Sequence, residues 1–166
     1  MTEMKQLKFR LNGSDLTAYV SSRTSLADFL RDQQRLTGTH IGCDMGACGA
    51  CLVRINGKTA HACLVLAAQV SDMDVFTIEG LDANGTIAHL QREFHERNAL
   101  QCGFCTSGML MSAAAYLEED GRQDRAAIRD ALSGNYCRCT GYEAIVDAIC
   151  AVAGFLQDSE AQRSRA

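Results

Sequence analysis

Proline is absent from this 166-residue sequence, so every break between helices and strands must rest on glycine, asparagine or aspartate. Basic charge is not in excess either, because 16 lysine and arginine residues stand against 20 aspartate and glutamate residues, for a net charge of -4. A protein that binds polyanions normally carries a basic patch or a basic overall balance. We therefore expect no nucleic-acid partner.

The chain also lacks an apolar run approaching the ~20 residues that span a bilayer. Its first five residues, MTEMK, contain neither the apolar segment nor the arginine pair of an export signal. We expect a cytoplasmic protein without a membrane span. A chain of this length forms one large domain or two small ones, and it buries ~70% of the surface that its unfolded form exposes.

Cysteine, in contrast, is abundant, with nine residues. In a reducing compartment many cysteines indicate metal binding before disulfides. Thiolates are soft ligands, and four of them brought together suit an iron-sulfur cluster or zinc far better than a hard cation. Eight cysteines fall into two sets of four, which leaves Cys150, most simply a buried small hydrophobic residue.

The first set reads C-x4-C-x2-C, followed by a fourth cysteine after a short hairpin, and consists of Cys43, Cys48, Cys51 and Cys63. This is the plant-type ligand spacing of a 2Fe-2S cluster. A zinc-stapled loop is the alternative for four cysteines at close spacing, but structural zinc usually takes two C-x2-C-like pairs. The spacing therefore favours an iron-sulfur cluster.

Small residues crowd the first cysteine loop, above all Gly42, Gly46 and Gly49. Three sulfurs converge from one loop only if the backbone adopts positive φ angles and approaches closely, and glycine permits both. We expect the N-H groups of these glycines to point at the sulfurs and stabilise their negative charge. His40 and His61 flank the loop, and histidine ligates Rieske-type clusters, but with four cysteines present we expect neither to be a ligand.

The second set pairs a C-x2-C doublet, Cys102 and Cys105, with a C-x-C doublet, Cys137 and Cys139. Each doublet precedes a segment of helical periodicity. Two helix N-termini would direct free N-H groups and positive dipole ends at one anionic cluster. The alternative is a redox dithiol beside an unrelated C-x-C pair.

The first half of the chain has the alternating pattern of strands, and its two Asn-Gly pairs predict tight hairpin turns. Ser25 and Asp28 match a capping box, which predicts a short helix to about residue 34. The expected strands cover residues 7–11, 16–20, 52–55, 58–62 and 74–78.

Residues 82–85 are polar and turn-rich, and they predict a linker between domains at 1–81 and 82–166. After the linker the apolar spacing predicts four helices, with Met109 and Met111 in the core. Thr106 and Asp124 stand at plausible helix starts, and Gly121 separates the second helix from the third. The polar tail from residue 158 to 166 is expected to be frayed.

Four phrases together resemble one known family: GTHIGC at 38–43, GACGAC at 46–51, LQCGFCT at 100–106 and GNYCRCTGY at 134–142. They are similar to the small iron-sulfur subunit of molybdenum hydroxylases, the family of xanthine dehydrogenase, aldehyde oxidoreductase and aerobic carbon monoxide dehydrogenase. The resemblance runs from about residue 5 to residue 156. All eight cysteines occupy the family's ligand positions.

The resemblance implies an α+β protein in which a β-grasp, plant-type ferredoxin-like domain is followed by a four-helix bundle. Each domain would hold one 2Fe-2S cluster. Electrons would pass from a molybdenum-pterin centre on a large subunit through the helical-domain cluster, then through the ferredoxin-like cluster, to FAD on a medium subunit. The substrate would bind the large subunit.

Two details of the resemblance concern the second set. Gln101 and Cys139 occupy the positions that approach the pterin cofactor, although a helix-edge glutamine bonded to nearby backbone is the ordinary alternative. Ser107 stands where many relatives have proline, in the first turn of a helix. Proline is only tolerated there, so we expect serine to leave the ligands in place.

Three functions compete at this point. The first is an electron-transfer subunit of a molybdenum and flavin hydroxylase, and the second is a free-standing two-cluster ferredoxin. A docked subunit exposes apolar patches when isolated, whereas a free ferredoxin has a hydrophilic surface. The third is a zinc-stapled interaction module without a redox role.

Overall fold

The computed structural model describes residues 4–81, 86–119 and 121–163, so the predicted linker lies outside the described residues. The fold is α+β, as predicted. Five strands form one sheet in the order β2-β1-β5-β3-β4, and the helices of the second half follow in sequence.

The sheet begins with an antiparallel hairpin of β1 (Met4–Leu11) and β2 (Ser14–Ser21). Asn12 and Gly13 form the turn with φ angles of 51° and 82°, the conformation that an Asn-Gly pair favours. Alternate residues of β1 face the core, so the period-two pattern predicted this hairpin correctly.

The predicted capping box starts the first helix, because the hydroxyl of Ser25 accepts the N-H of Asp28 at 3.0 Å. α1 (Leu26–Asp28) continues into a π-helical turn over Phe29–Gln33, a change that the sequence pattern did not predict. From this turn the guanidinium of Arg31 donates to the carbonyls of Thr37 and Thr39, both at 2.9 Å. These two bonds hold the segment that leads into the first cysteine loop.

A second hairpin joins β3 (Leu52–Ile55) to β4 (Lys58–His61) through the other Asn-Gly turn. Two short 3₁₀ turns follow, at Ala62–Leu64 and Ala67–Val70. β5 (Asp74–Phe76) then lies parallel to β1 and antiparallel to β3.

The prediction of a strand from residue 74 to residue 78 was too long. Thr77 leaves the ladder because its N-H donates to the side chain of Asn12 at 2.8 Å. The Thr77 carbonyl then accepts from Gly80 and Leu81, at 3.0 and 3.2 Å, and the short helix α2 (Ile78–Leu81) forms.

The four predicted helices of the second half are present. Thr106 and Asp124 stand where the sequence placed them, since α4 begins at Thr106 and the Asp124 carboxylate accepts the N-H of Ala126 at 2.9 Å. Gly121 has a φ angle of 60° between the second and third of these helices. Their bounds are α3 (Thr86–Glu96), α4 (Thr106–Glu119), α5 (Arg125–Ala131) and α6 (Glu143–Arg163).

The tail from residue 158 was predicted to be frayed, which is wrong as far as Arg163 because α6 continues to that residue. Residues 164–166 lie outside the described residues. The amide of Gln157 donates to the Gly121 carbonyl at 3.1 Å, which ties this part of the helix to the turn after α4. Among the described residues, no helix is both long and apolar enough to cross a bilayer.

One continuous apolar core joins the sheet to the helices. Met109 and Met111 are fully buried in it, as predicted, and Cys150 is only half-buried at its margin. The guanidinium of Arg54, on β3, is largely buried and pairs with the carboxylate of Glu118 on α4 at 2.8 Å. Packing and an ion pair thus connect the two halves of the chain.

Candidate metal centres

The first site is a loop between the π-helical turn and β3, completed by the chain after β4. The antiparallel register places His61 opposite Leu52, and the N-H of Ala62 donates to the Cys51 carbonyl at 3.2 Å. The hairpin therefore returns Cys63 beside Cys51. Their thiols are in hydrogen-bond contact.

The remaining two cysteines of the first set form a second pair. The N-H groups of Ala47 and Cys48 donate to the sulfur of Cys43, each at 3.3 Å, and the Cys43 and Cys48 thiols are themselves in contact. Cys48 also lies close enough to Cys51 to interact electrostatically with it. All four sulfurs thus gather at one place as two pairs.

Backbone donors prepare one member of this set to be a thiolate. N-H groups of Met45, Ala47 and Cys48 lower the pKa of the Cys43 thiol to about 7. Burial has the opposite effect on Cys51 and raises its pKa to about 12. A bound metal would therefore have to displace a tightly held proton from Cys51.

The glycines of the loop act mainly through their backbone conformation and small size. Gly46 and Gly49 have φ angles of 74° and 73°, as predicted, whereas Gly42 does not lie in the left-handed region. A Cβ atom at Gly42 would lie 3.1 Å from the Cys48 sulfur. The amides that donate to the Cys43 sulfur belong to Met45, Ala47 and Cys48. That the glycine amides point at a bound cluster stays a prediction.

The second site lies where α4 and α6 begin. The sulfurs of Cys102 and Cys139 are 3.5 Å apart and both residues are exposed. The thiols of Cys105 and Cys137 are in hydrogen-bond contact and half-buried. Gln101 is exposed beside the outer pair.

The inner pair of the second site is electrostatically asymmetric. Burial raises the pKa of the Cys105 thiol to about 12. Burial also acts to raise the pKa of Cys137, but the hydroxyl and N-H of Thr140, at 3.1 and 3.5 Å, outweigh it together with the N-H of Cys139. The net pKa of Cys137 is lowered, and Thr140 is a contributor that the sequence reading did not identify.

This donor arrangement suits a two-iron cluster better than one ion. A tetrahedral zinc site needs four ligands around a single point. Within residues 4–81, 86–119 and 121–163, no three histidine, cysteine, aspartate or glutamate side chains are placed to hold one metal ion. Two thiol pairs per site, in contrast, match a cluster in which each iron takes two cysteines.

The two sites are in direct contact through their loops. The Tyr136 N-H donates to the Cys48 carbonyl at 2.9 Å, and the side-chain amide of Asn135 donates to the Gly49 carbonyl at 3.3 Å. Asn135 is only 3% exposed, and its amide oxygen accepts the hydroxyl of Ser112 at 2.6 Å. Sequence reasoning missed these side chains because the contacts join residues far apart in the chain.

The histidines that flank the first loop lie outside the sulfur pairs. Nδ1 of His40 is 2.9 Å from the Phe104 carbonyl, and the two rings stack with centroids 4.8 Å apart. His61 is half-buried at the end of β4. Neither histidine belongs to a group of three metal-ligating side chains among the described residues.

Comparison with known proteins agrees with this geometry. The 2Fe-2S iron-sulfur cluster binding domain family matches residues 9–75, and the [2Fe-2S] binding domain family matches residues 77–150. The gamma subunit of caffeine dehydrogenase from Pseudomonas sp. (strain CBB1) is 47% identical over 146 residues, which cover 86% of this chain and 87% of that subunit.

Solved structures show the same relationship. Quinoline 2-oxidoreductase from Pseudomonas putida 86 contains a chain that superposes with a TM-score of 0.88 at 43% identity, covering 95% of this chain and 98% of that one. Aldehyde oxidoreductase from Desulfovibrio desulfuricans ATCC 27774 superposes with a TM-score of 0.85 at 37% identity, over 93% of this chain and 17% of its own. The chain therefore belongs to the family of small iron-sulfur subunits of molybdenum hydroxylases, carries two 2Fe-2S domains and is the iron-sulfur subunit of an oxidoreductase.

Proposed function

We propose that the chain relays electrons from a molybdenum-pterin centre on a large subunit to FAD on a medium subunit. Cys102, Cys105, Cys137 and Cys139 ligate the cluster that receives the electrons, and Cys43, Cys48, Cys51 and Cys63 ligate the one that passes them on. A 2Fe-2S cluster supplies one-electron redox chemistry at a potential that its surroundings set. The pairing of eight thiols into two adjacent sites carries this proposal.

The burial of the second site supports the direction of the relay. Its outer pair, Cys102 and Cys139, is exposed, so a cofactor on another subunit can approach it. Cys137 of the inner pair follows Tyr136, whose N-H donates to the carbonyl of Cys48 in the first site. Electrons that arrive at the outer pair therefore leave the second site towards the first.

Gln101 and Cys139 are the residues that we place against the pterin cofactor. Both are exposed on the outer side of the second site, where a glutamine amide can donate to and accept from a ligand. The helical half would then dock on the large subunit, and the first cysteine loop on the medium subunit.

Apolar surface beside each site favours a docked subunit over a free-standing ferredoxin. Met45 and Leu64 are 71% and 61% exposed at the first site, and Leu66 is exposed nearby. Phe104 and Tyr136 are 46% and 61% exposed at the second. Several large apolar side chains exposed beside one site are usual where a permanent partner binds.

The domain arrangement is part of the same proposal. Residues 1–81 form a β-grasp, plant-type ferredoxin-like domain, and residues 82–166 form a helical domain built as a four-helix bundle. The sheet order β2-β1-β5-β3-β4 and the contacts of α6 with α3 and α5 support this division. Nine cysteines, eight of them proposed cluster ligands, favour a reducing, cytoplasmic location.

Low-temperature electron paramagnetic resonance of the dithionite-reduced, anaerobically purified chain tests the ligand assignment. We expect two distinct signals, each integrating to one spin per chain. A sample that gives no signal and contains stoichiometric zinc would mean that the same cysteines are structural zinc ligands. That result would overturn the proposal.

Purification from the native host tests the assignment of partners. We expect the chain to elute with two larger subunits that carry molybdenum and FAD. A chain that elutes alone with both clusters intact would instead be a free-standing ferredoxin.

A further inference from the structure

His40 connects the two cysteine loops through its side chain. Its backbone N-H bonds to the Ala50 carbonyl at 3.3 Å, so the residue is anchored at the base of the first loop. Its ring then reaches the Gly103–Ser107 segment of the second site. We call the contact of His40 with Phe104 and Ser107 the His40 clamp.

The clamp has two components of different physical origin. Nδ1 of His40 lies 2.9 Å from the Phe104 carbonyl, and because a carbonyl only accepts, Nδ1 carries the proton and donates. The hydroxyl oxygen of Ser107 lies 3.4 Å from the same nitrogen and can accept a weaker share of that N-H. The imidazole also stacks on the Phe104 ring, with an interplanar angle of 18°.

The clamp lies next to one proposed ligand of each set without touching a sulfur itself. Phe104 immediately precedes Cys105, and its ring edge lies 3.2 Å from where a Cβ of Gly42 would stand. Gly42 immediately precedes Cys43 and packs on the sulfur of Cys48, 3.1 Å from the same Cβ position. A shift of the His40 ring would therefore change the spacing of the two loops while leaving all eight thiols in the chain.

We propose that His40 is a positioning residue that holds the two cluster loops at a fixed separation and so sets the rate of electron exchange between the clusters. The inference rests on the proposed relay. One electron leaves the second site, which is oxidised, and arrives at the first, which is reduced, and no atom or proton needs to move. Rates of such positioned reactions depend steeply on small displacements.

Three substitutions separate the components of the clamp. His40→Ala removes the hydrogen bond and the stacking together. His40→Asn keeps an N-H donor near the position of Nδ1, and His40→Phe keeps a stacking ring without the donor. The matched control is His89→Ala, because the His89 ring packs on Phe155 at the same centroid distance of 4.8 Å, tilted by 40°, away from both loops.

Two measurements on the full chain give the readout, the first with both clusters reduced and the second with a single electron on the two clusters. The first is the magnetic coupling between the two cluster spins in electron paramagnetic resonance. The second is the rate of internal electron redistribution after a flash from a photoreductant. We expect His40→Ala to weaken the coupling and to slow redistribution by about tenfold or more, with midpoint potentials and spin counts retained.

We expect His40→Asn to recover most of the rate and His89→Ala to match the unaltered chain. Unchanged coupling and rate in His40→Ala, with both clusters present, would overturn the clamp. If His40→Ala fails to retain two clusters, the proposal is tested with two milder variants. His40→Phe removes only the hydrogen bond, and Phe104→Leu removes only the stacking. Coupling like that of the unaltered chain in both variants would overturn the proposal equally.

The same measurements distinguish a failure of the clamp from a failure of the relay. If the unaltered chain holds two reducible clusters that exchange no electrons, the proposed relay itself is wrong. If exchange is rapid in the unaltered chain and insensitive to His40, the relay stands and only the clamp is wrong.

Discussion

The backbone N-H of Tyr136 donates a hydrogen bond of 2.9 Å to the carbonyl oxygen of Cys48. Tyr136 is covalently joined to Cys137, so this single contact links a cysteine of one set to a cysteine of the other. The neighbouring bond from Asn135 to Gly49 supports it. Two of the following predictions test contacts between the two loops, one tests the cysteine assignment, and one tests the ion pair between the sheet and the helices.

Gly49→Ala should destabilise the chain more than its backbone angle alone explains. Its φ angle of 73° costs an alanine about 1 kcal/mol, and the new Cβ would lie 2.5 Å from the Gly134 carbonyl. Overpacking of this kind adds about 2 kcal/mol. We expect the thermal midpoint to fall by about 10 °C, measured by circular dichroism at a fixed scan rate.

Gly57→Ala is the matched control for that prediction. Gly57 has a φ angle of 80° in the turn between β3 and β4, and a Cβ there would meet no atom within 4 Å. Its thermal midpoint should fall by only about 3 °C. Equal effects of the two substitutions would mean that the approach of Gly49 to Gly134 does not matter.

Asn135→Ala should destabilise the chain by about 2 kcal/mol, because it leaves the Ser112 hydroxyl without its acceptor and the Gly49 carbonyl with only the N-H of Leu52, at 3.4 Å. Ser112→Ala removes only one of these bonds and should cost about 1 kcal/mol. The double variant should cost less than the two single effects together, since they share one bond. Strict additivity in thermal midpoints would contradict the network.

Cys48→Ser and Cys139→Ser should each remove one cluster and leave the other. Serine cannot replace the soft thiolate, so Cys48→Ser should lose the signal of the first site and Cys139→Ser that of the second. Spin quantitation and iron analysis measure the outcome. Cys150→Ser, outside both sets, should keep both signals, and loss of the same signal in both ligand variants would refute the assignment to two sites.

Glu118→Gln should loosen the attachment of the helices to the sheet. The guanidinium of Arg54 is largely buried and would lose its charged partner, but Glu118 is half-exposed, so we expect a cost of about 1 kcal/mol. Thermal midpoints report the loss. Glu119→Gln, on the exposed neighbouring residue, is the control and should leave the midpoint unchanged.

Local patterns predicted most of the fold. The two Asn-Gly turns specify their hairpins because the turn residues adopt positive φ angles regardless of the rest of the chain. The starts of α1 and α5 follow from the N-cap residues Ser25 and Asp124, whose side chains accept an N-H of the first turn. The grouping of the cysteines into two sets could be predicted for the same reason, since most cysteines of each set lie within a few residues of another cysteine of that set.

Long-range contacts account for what the sequence pattern did not predict. β5 ends at Phe76 because Asn12, distant in sequence, accepts the N-H of Thr77. The contact of the two loops depends on Asn135. Residue propensities predict a turn at this asparagine, but they do not predict its hydrogen bond to the first loop. The sequence pattern did not predict the contact of His40 with the second loop, because that contact joins it to a carbonyl 64 positions away.

The contact between the two cysteine loops also limits how the gene for this protein can be rearranged in evolution. A comparable stretch makes up 98% of a separate chain in quinoline 2-oxidoreductase and 17% of a much longer chain in the Desulfovibrio enzyme. Gene fusion or fission at its outer ends leaves the contacts of Cys48 and Gly49 intact. A break between the two halves would remove the Tyr136 donor from the Cys48 carbonyl and the Asn135 donor from the Gly49 carbonyl, so recombination is expected to move the pair as one unit.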